Sequence, residues 1–354
     1  MFVHPLRFFY LSRFFLSAFL SVACLLPLPL MAAKSTAAPA EGYSQRADVR
    51  AWASEFAAKE GIDADFLLDA LKSVEAKPRI LELMDAPIKV PPLWFEYAPR
   101  FLNEGRISAG VDFLSDNKIS LARAEAYFGV PPEIVTAVIG VETYYGRQVG
   151  KNCVLNALTT LAFDYPRRAD YFRGELEAFF LLTLDNNFAP TTLKGSYAGA
   201  MGISQFMPRS YRHYAVDFDF DGRVDLWQAP DAIGSVAFYL QEHGWQSDAS
   251  ILTPLQLSTE TATALTPLLD RGLSEPQPMR EWRALGVTLA DDNTLIDDND
   301  AVSLLMLDTS AGAEYFLAHD NFRVILRYNK SRLYATAVTF LAEEIKERTN
   351  KVQP

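Results

Sequence analysis

The sequence predicts a mainly α-helical protein of α+β class with a small antiparallel β element. Three observations carry that prediction. Apolar residues recur at helical spacing across 44–80, 100–128 and 131–146, and a closing helix reads over 331–348. Strand-like segments occur only late, at 301–307 and 314–318. With 354 residues, 49% of them hydrophobic, the chain can bury a sizeable core.

The N-terminus reads as an address. Arg7 and Arg13 precede an apolar run from Phe14 to Ala33, and Ala37, Ala38 and Ala40 follow. A basic start, an apolar middle and a small-residue end describe a secretory signal. Cleavage after Ala33, Ala38 or Ala40 would each suit a signal peptidase. The run nears membrane-spanning length, which leaves an uncleaved anchor open, although Pro27 and Pro29 disfavour a stable spanning helix. Ser21-Val22-Ala23-Cys24 resembles a lipoprotein box with Ser in place of the usual Leu, so Cys24 is a candidate for lipidation. Residues 1–40 are therefore expected to be signal and leader. The mature protein is expected in the periplasm, anchored to the outer membrane if Cys24 is lipidated.

The formal charge is −11, and loss of Arg7 and Arg13 with the signal takes it to −13. Such a protein repels nucleic acid, and recognition of an acidic substrate would have to be local. Cys24 lies in the signal and cannot pair with Cys153 in the mature fold, so no disulfide is expected. Cys153 reads as a buried apolar residue. His4, His213, His243 and His319 are scattered without zinc spacing, no phosphate-binding glycine motif occurs, and no organic cofactor is expected.

A helical region is expected over 41–130. Val49, Trp52, Phe56 and Ala57 mark its first helix. Asp63 or Asp65 can cap a second, running through Phe66, Leu67, Leu71 and Val74. Pro78, Pro87, Pro91 and Pro92 punctuate the chain into loops, and helices follow near 100–116 and 117–128. A core region is expected over 131–250. Pro131 and Pro132 open its first helix, Val135, Val138 and Ile139 form an apolar face, and Gly146 can end it. A small β-containing region is expected over 251–327, with Asp308-Thr309-Ser310-Ala311-Gly312 as a turn between two strands. Residues 328–354 are expected to hold a helix that packs back on the core.

Glu142 continues that apolar face. A carboxylate there costs free energy unless protonated or paired, and desolvation raises its pKa towards what a general acid needs. A Glu near a helix end can also point sideways into water, so the position alone does not decide. Tyr144 and Tyr145 follow it, and aromatic groups beside a carboxylate suit sugar binding. Downstream lies Gly199-Ala200-Met201-Gly202-Ile203-Ser204-Gln205-Phe206-Met207-Pro208. Its glycines permit close backbone approach, and Gln205 offers an amide donor and acceptor. A buried loop before the helix that Pro208 begins fits equally well.

Together Glu142-Thr143, the glycine segment, Leu161-Ala162-Phe163-Asp164-Tyr165-Pro166-Arg167-Arg168, Tyr214-Ala215-Val216-Asp217-Phe218 and Tyr328-Asn329-Lys330-Ser331 with Tyr334-Ala335 resemble the lytic transglycosylases of the lysozyme superfamily, of the membrane-bound murein transglycosylase B type. The resemblance runs from about residue 44 to 345 and rests on the combination. It implies a lysozyme-like fold, Glu142 as the single catalytic acid, and a substrate cleft lined by Gln205, Tyr239, Tyr328 and Tyr334, with Tyr144 and Ser204 beside them. Spacing alone would make the last three tyrosines of the cleft core aromatics.

The implied reaction is non-hydrolytic cleavage of the β-1,4 bond between N-acetylmuramic acid and N-acetylglucosamine, closing a 1,6-anhydro ring. Peptidoglycan strands are the implied partner. Other cell-wall enzymes are plausible partners, and a monomer is expected. A hydrolytic muramidase on the same fold, or a non-catalytic glycan- and calcium-binding envelope protein, are the competing readings.

Asp217-Phe218-Asp219-Phe220-Asp221-Gly222-Arg223-Val224-Asp225 fits an EF-hand calcium loop, with acids at positions 1, 3, 5 and 9 and glycine at 6. Arg223 would ligate through its carbonyl. Position 12 is Gln228 rather than an acid, so Asp231, which can also cap the helix carrying Tyr239, is the expected closing ligand. Calcium is expected as a structural ion.

Overall fold

The computed structural model describes residues 42–86, 90–269, 272–291 and 294–352. The signal segment, its cleavage sites, Cys24 and Pro87 lie outside the described residues.

The chain runs through α1 (Ala47–Glu60), α2 (Ala64–Lys72), α3 (Pro78–Met84), α4 (Trp94–Tyr97), α5 (Glu104–Asp116), α6 (Lys118–Phe128) and α7 (Pro132–Thr143). Then come β1 (Asn152–Cys153), α8 (Val154–Asp164), α9 (Ala169–Asp185), β2 (Lys194–Gly195), α10 (Pro208–Tyr214) and α11 (Ala229–Glu242). The last part holds β3 (Leu252–Leu255), α12 (Thr259–Leu265), β4 (Gln277–Pro278), α13 (Met279–Ala284), β5 (Ala301–Thr309), β6 (Gly312–Ala318), α14 (Asp320–Tyr328) and α15 (Arg332–Val352).

Local chemistry accounts for these boundaries. Asp63, rather than Asp65, caps α2, its carboxylate accepting the Asp65 amide at 2.9 Å. Val74 lies past the end of α2 but is buried. Pro78 opens α3 instead of a loop, because proline at the first helical position gives up an amide that has no partner anyway. Gly129 ends α6 in the left-handed conformation.

α7 departs most from expectation. Every residue from Ile134 to Gly140 is buried, not one face only. A helix apolar all round belongs at the centre of the fold, and α7 packs against α5, α6, α11 and α15. It ends at Thr143 with Tyr144 in the left-handed region (φ 52°), three residues before Gly146. Tyr145, also left-handed, is buried and tucked against Gly140, where a Cβ would meet its ring at 2.7 Å. It belongs to the core and not to a sugar site.

The hairpin expected late in the chain is present, with each strand two residues longer than read. Thr309 pairs with Gly312 around a two-residue turn. β3 and β4 join its edges in the antiparallel order β3-β6-β5-β4. Side chains alternate between two cores: Leu305, Leu307 and Phe316 reach the main one, while Val302, Leu304 and Leu317 cover Trp282 and Met279. The sheet thereby fixes α14, and α14 leads directly into α15. Cys153 is half-buried beside the Thr191 carbonyl, not a core residue.

Asp63 touches no part of the site, so Asp63→Ala should cost about 1 kcal/mol of stability and leave activity unchanged. Urea denaturation together with a turnover assay checks both halves.

Candidate active site

Three segments converge at the C-terminal end of α7. Thr143 Oγ1 donates to the Ile203 carbonyl at 2.9 Å, tying the helix end to the glycine-rich loop. The Tyr334 hydroxyl, from the first turn of α15, donates to Glu142 Oε1 at 2.7 Å. The Tyr328 hydroxyl, from the last residue of α14, donates to the Ser204 carbonyl at 2.6 Å.

Glu142 as a residue is half-buried. Protein nevertheless surrounds its carboxyl group closely enough that loss of hydration pushes its pKa up to about 7, against the Tyr334 hydrogen bond, which pulls it down. No other acid contributes to that shift. Both tyrosines are pushed well above the usual phenol range, first by burial and then by the charge of Glu142, so each stays a donor.

The rings form a continuous row. Tyr334 lies parallel to Tyr328 at 6.5 Å, Tyr328 meets Tyr239 edge-on at 4.8 Å, and Phe206 sits 5.6 Å from Tyr239. Tyr239 is anchored by its hydroxyl on the Arg327 carbonyl at 2.7 Å.

The glycine-rich loop is held open by a cross-bridge in which Met201 and Phe206 exchange both amide hydrogen bonds. Gly202 adopts φ 70° with its α-carbon against Leu226, where a Cβ would meet backbone at 2.6 Å, so no side chain fits. Gln205 is left-handed (φ 52°), and its side-chain amide nitrogen donates to the Val149 and Gly202 carbonyls. Ser204 is fully buried and meets the tyrosine row through its backbone; its hydroxyl has no hydrogen-bond partner among the described residues. Tyr144, two residues after Glu142, donates to the Gly105 carbonyl at 3.1 Å and lies under the Arg106 guanidinium at 4.6 Å. Arg106 also donates to the Gly140 carbonyl near the end of α7.

One site residue escaped the sequence. Tyr97, at the end of α4, has its pKa raised first by burial and also by the charge of Glu142. The aromatic cluster Trp94-Phe95-Glu96-Tyr97 after two prolines was the available signal.

The acidic loop gathers some of its carboxylates and not others. Asp217, Asp219 and Asp231 each bring a carboxylate oxygen within 4.8 Å of the others. Asp221 is outside that group and accepts the Arg223 amide at 2.8 Å. The Arg223 side chain lies over Phe188. Asp231 does not cap its own helix: its oxygens accept the amides of Phe218, Asp219 and Asp225. It is 1% exposed, and burial, then the Asp219 charge, push its pKa up. A buried acid beside a second carboxylate is the donor set that a hard divalent cation would relieve.

Residues 44–343 match the family model described as transglycosylase SLT domain. The chain belongs to that family. It is an enzyme, a lytic transglycosylase that acts on peptidoglycan. Membrane-bound lytic murein transglycosylase B of Escherichia coli is 40% identical over 296 residues, which are 81% of this chain and 79% of that protein. Lytic transglycosylase SltB1 from Pseudomonas aeruginosa matches with TM-score 0.81 and 41% identity, over 87% of this chain and 99% of that one. Escherichia coli Slt35, solved in complex with calcium, matches with TM-score 0.79 and 37% identity, over 86% and 95%. The helical fold with small antiparallel sheets expected from the sequence is the fold of these transglycosylases. No helix among the described residues is long and apolar enough to cross a membrane.

The Tyr334 hydrogen bond lowers the pKa of Glu142, so its removal must raise it. Tyr334→Phe should shift the alkaline limb of the transglycosylase pH–rate profile upward by up to about one unit. An unshifted limb would show that the hydroxyl does not act on the acid.

Proposed function

We propose that Glu142 alone serves as acid and then base in cleaving the bond between N-acetylmuramic acid and N-acetylglucosamine. The observation that carries the reading is the isolation of this carboxyl group: burial and one tyrosine hydroxyl set its titration, with no second acid in play. Hydrolytic schemes with two carboxylates need a partner acid within about 5–10 Å.

The protonated carboxyl gives its proton to the glycosidic oxygen. Positive charge growing at C1 is met by the substrate's own acetamido oxygen. The Glu142 carboxylate then takes the proton of the C6 hydroxyl, whose oxygen bonds to C1 and closes the 1,6-anhydro ring. One proton leaves and one returns, and no water is consumed. An intramolecular nucleophile gains enough from proximity for one acid–base group to suffice. A pKa near 7 makes both roles available at neutral pH. Gln205, Tyr144, Tyr239, Tyr328 and Tyr334 orient the sugar, and Ser204 fixes Tyr328 through its carbonyl.

Asp217, Asp219 and Asp231 would hold a calcium ion with structural duty, and Asp221 and the Arg223 carbonyl complete the expected loop. Such an ion would offset the repulsion among these acids around the start of α11. Export by the N-terminal signal places the enzyme with its polymer outside the cytoplasm.

Glu142→Gln should lower turnover of purified sacculi by about a thousandfold or more, since acid and base are lost together. Wild-type digests should contain muropeptides lighter by one water than hydrolytic products; full-mass reducing ends would overturn the anhydro route. The variant also has a stability signature. The folded state keeps the Glu142 proton up to about pH 7, whereas the free group loses it near 4.5. The ionised carboxylate therefore costs stability that is absent at low pH, grows between those values and is full above 7. Glu142→Gln should stabilise the protein by on the order of 2 kcal/mol at about pH 8 and leave it unchanged at about pH 4, read by thermal melting.

Calcium should raise the melting temperature of the wild type, magnesium should do so less, and Asp231→Asn should abolish the difference. Equal melting curves in calcium and in chelator would remove the ion from the account.

A further inference from the structure

The row of rings that reaches Glu142 continues on its far side to a histidine. His243 directly follows the last residue of α11. Its ring lies 4.0 Å from the Tyr239 ring with the two planes 24° apart, a stacked pair. Tyr214 stands against both rings, 4.8 Å from Tyr239 and 5.2 Å from His243. Read towards the acid, the order is His243, Tyr239, Tyr328, Tyr334 and Glu142.

The bond from the Tyr239 hydroxyl to the Arg327 carbonyl fixes the tip of that side chain but not the plane of its ring. The phenol oxygen lies on the axis about which the ring turns, and this last torsion of a tyrosine is soft. The plane is therefore set by whatever lies against the ring. Tyr328 and Tyr214 stand steeply to it, at 66° and 70°, and Phe206 is inclined at 43°. Among the described residues only His243 lies nearly parallel.

His243 is itself held. Its Nδ1 lies 2.7 Å from the Tyr239 carbonyl, and because a carbonyl only accepts, Nδ1 carries the proton. The His243 backbone amide donates to the same oxygen at 3.2 Å. The chain then turns away at Gly244, with φ 93°. The imidazole is thus pinned to the backbone of the residue whose ring it covers.

We propose that His243 is a positioning residue for the transglycosylase reaction: its imidazole sets the plane of the Tyr239 ring and so tightens the hold on the sugar. The proposal rests on the assignment of Tyr239 to the row that orients the sugar. A histidine at a helix end can also serve the helix by donating to its last carbonyls. The two roles use different parts of the side chain. Stacking needs a flat ring, and capping needs the nitrogen.

The test measures kcat and KM of the purified full chain on soluble glycan strands. His243→Phe keeps the ring and drops the donor, whereas His243→Asn keeps a donor and drops the ring. His243→Asn should raise KM about fivefold, and His243→Phe should stay within about twofold of the wild type. The reverse order would show a helix cap and overturn the proposal, as would equal effects of the two changes. The alkaline limb of the pH–rate profile should stay in place in both variants, because His243 is not among the groups that set the titration of Glu142. A moved limb would show that the whole row had come apart and would overturn the local role. A double-mutant cycle adds a second check: once Tyr239→Ala is in place, His243→Asn should raise KM no further, and additive losses would overturn action through Tyr239. Tyr239→Ala by itself separates the two levels. If its KM equals that of the wild type, the sugar-orienting role of Tyr239 fails and the role of His243 falls with it. If its KM rises while that of His243→Asn does not, only the role of His243 fails.

Discussion

The site depends on one hydrogen bond in a poorly hydrated place, from the Tyr334 hydroxyl to the Glu142 carboxylate. Two opposing effects meet there. Desolvation favours the neutral acid and would by itself raise the pKa further. The tyrosine favours the anion and brings the balance back to about 7. Together they leave a group that titrates near neutrality. The same pair couples distant parts of the chain, since its members stand 192 residues apart. The acid is tuned only when the last helix has docked.

That dependence explains why α7 is so thoroughly buried. A helix apolar on every side cannot shift without exposing core, so the carboxylate at its end is held by the packing of α5, α6, α11 and α15. The glycine-rich loop is fixed from both directions, by Thr143 on Ile203 and by Tyr328 on Ser204. Left-handed backbone at Tyr144, Tyr145 and Gln205 clusters at this junction. Such conformations at bulky residues persist where surrounding structure over-determines them, commonly at functional sites.

Much of this was legible beforehand, and the limits have physical causes. Helices with a strong period, a proline at the start or an aspartate cap were readable from local residues alone. Glu142 was visible because a carboxylate on an apolar stripe contradicts its surroundings. Tyr239, Tyr328 and Tyr334 were ambiguous for the opposite reason: a tyrosine at helical spacing looks the same whether its hydroxyl meets solvent, a carbonyl or a buried carboxylate. The decision lies in the partner, which only the fold supplies. Gly146 misled because helix ends are usually marked by glycine, whereas here the energetic cost of a left-handed tyrosine is borne to hold the residues after Glu142. β3 and β4 were missed because short edge strands take their order from the hairpin they join. Asp231 was found by counting along the loop, but its orientation was not: a first-turn aspartate can serve its own helix or the preceding loop, and three loop amides outweigh one helical one.

The acidic loop and the tyrosine row are joined through one helix. α11 begins in the turn that carries Asp231 and bears Tyr239 two turns later. Three carboxylates gathered at its start repel one another, and the loop amides that Asp231 accepts compensate only part of that repulsion. Through those amides Asp231 ties the first turn of α11 to the loop, and the same helix carries the ring that meets Tyr328 edge-on. Tyr328 is in turn stacked on the tyrosine that tunes Glu142. No aspartate of the loop contributes to the titration of Glu142, so the connection between the two runs through the packing of α11 and the tyrosine row and not through the field of the loop.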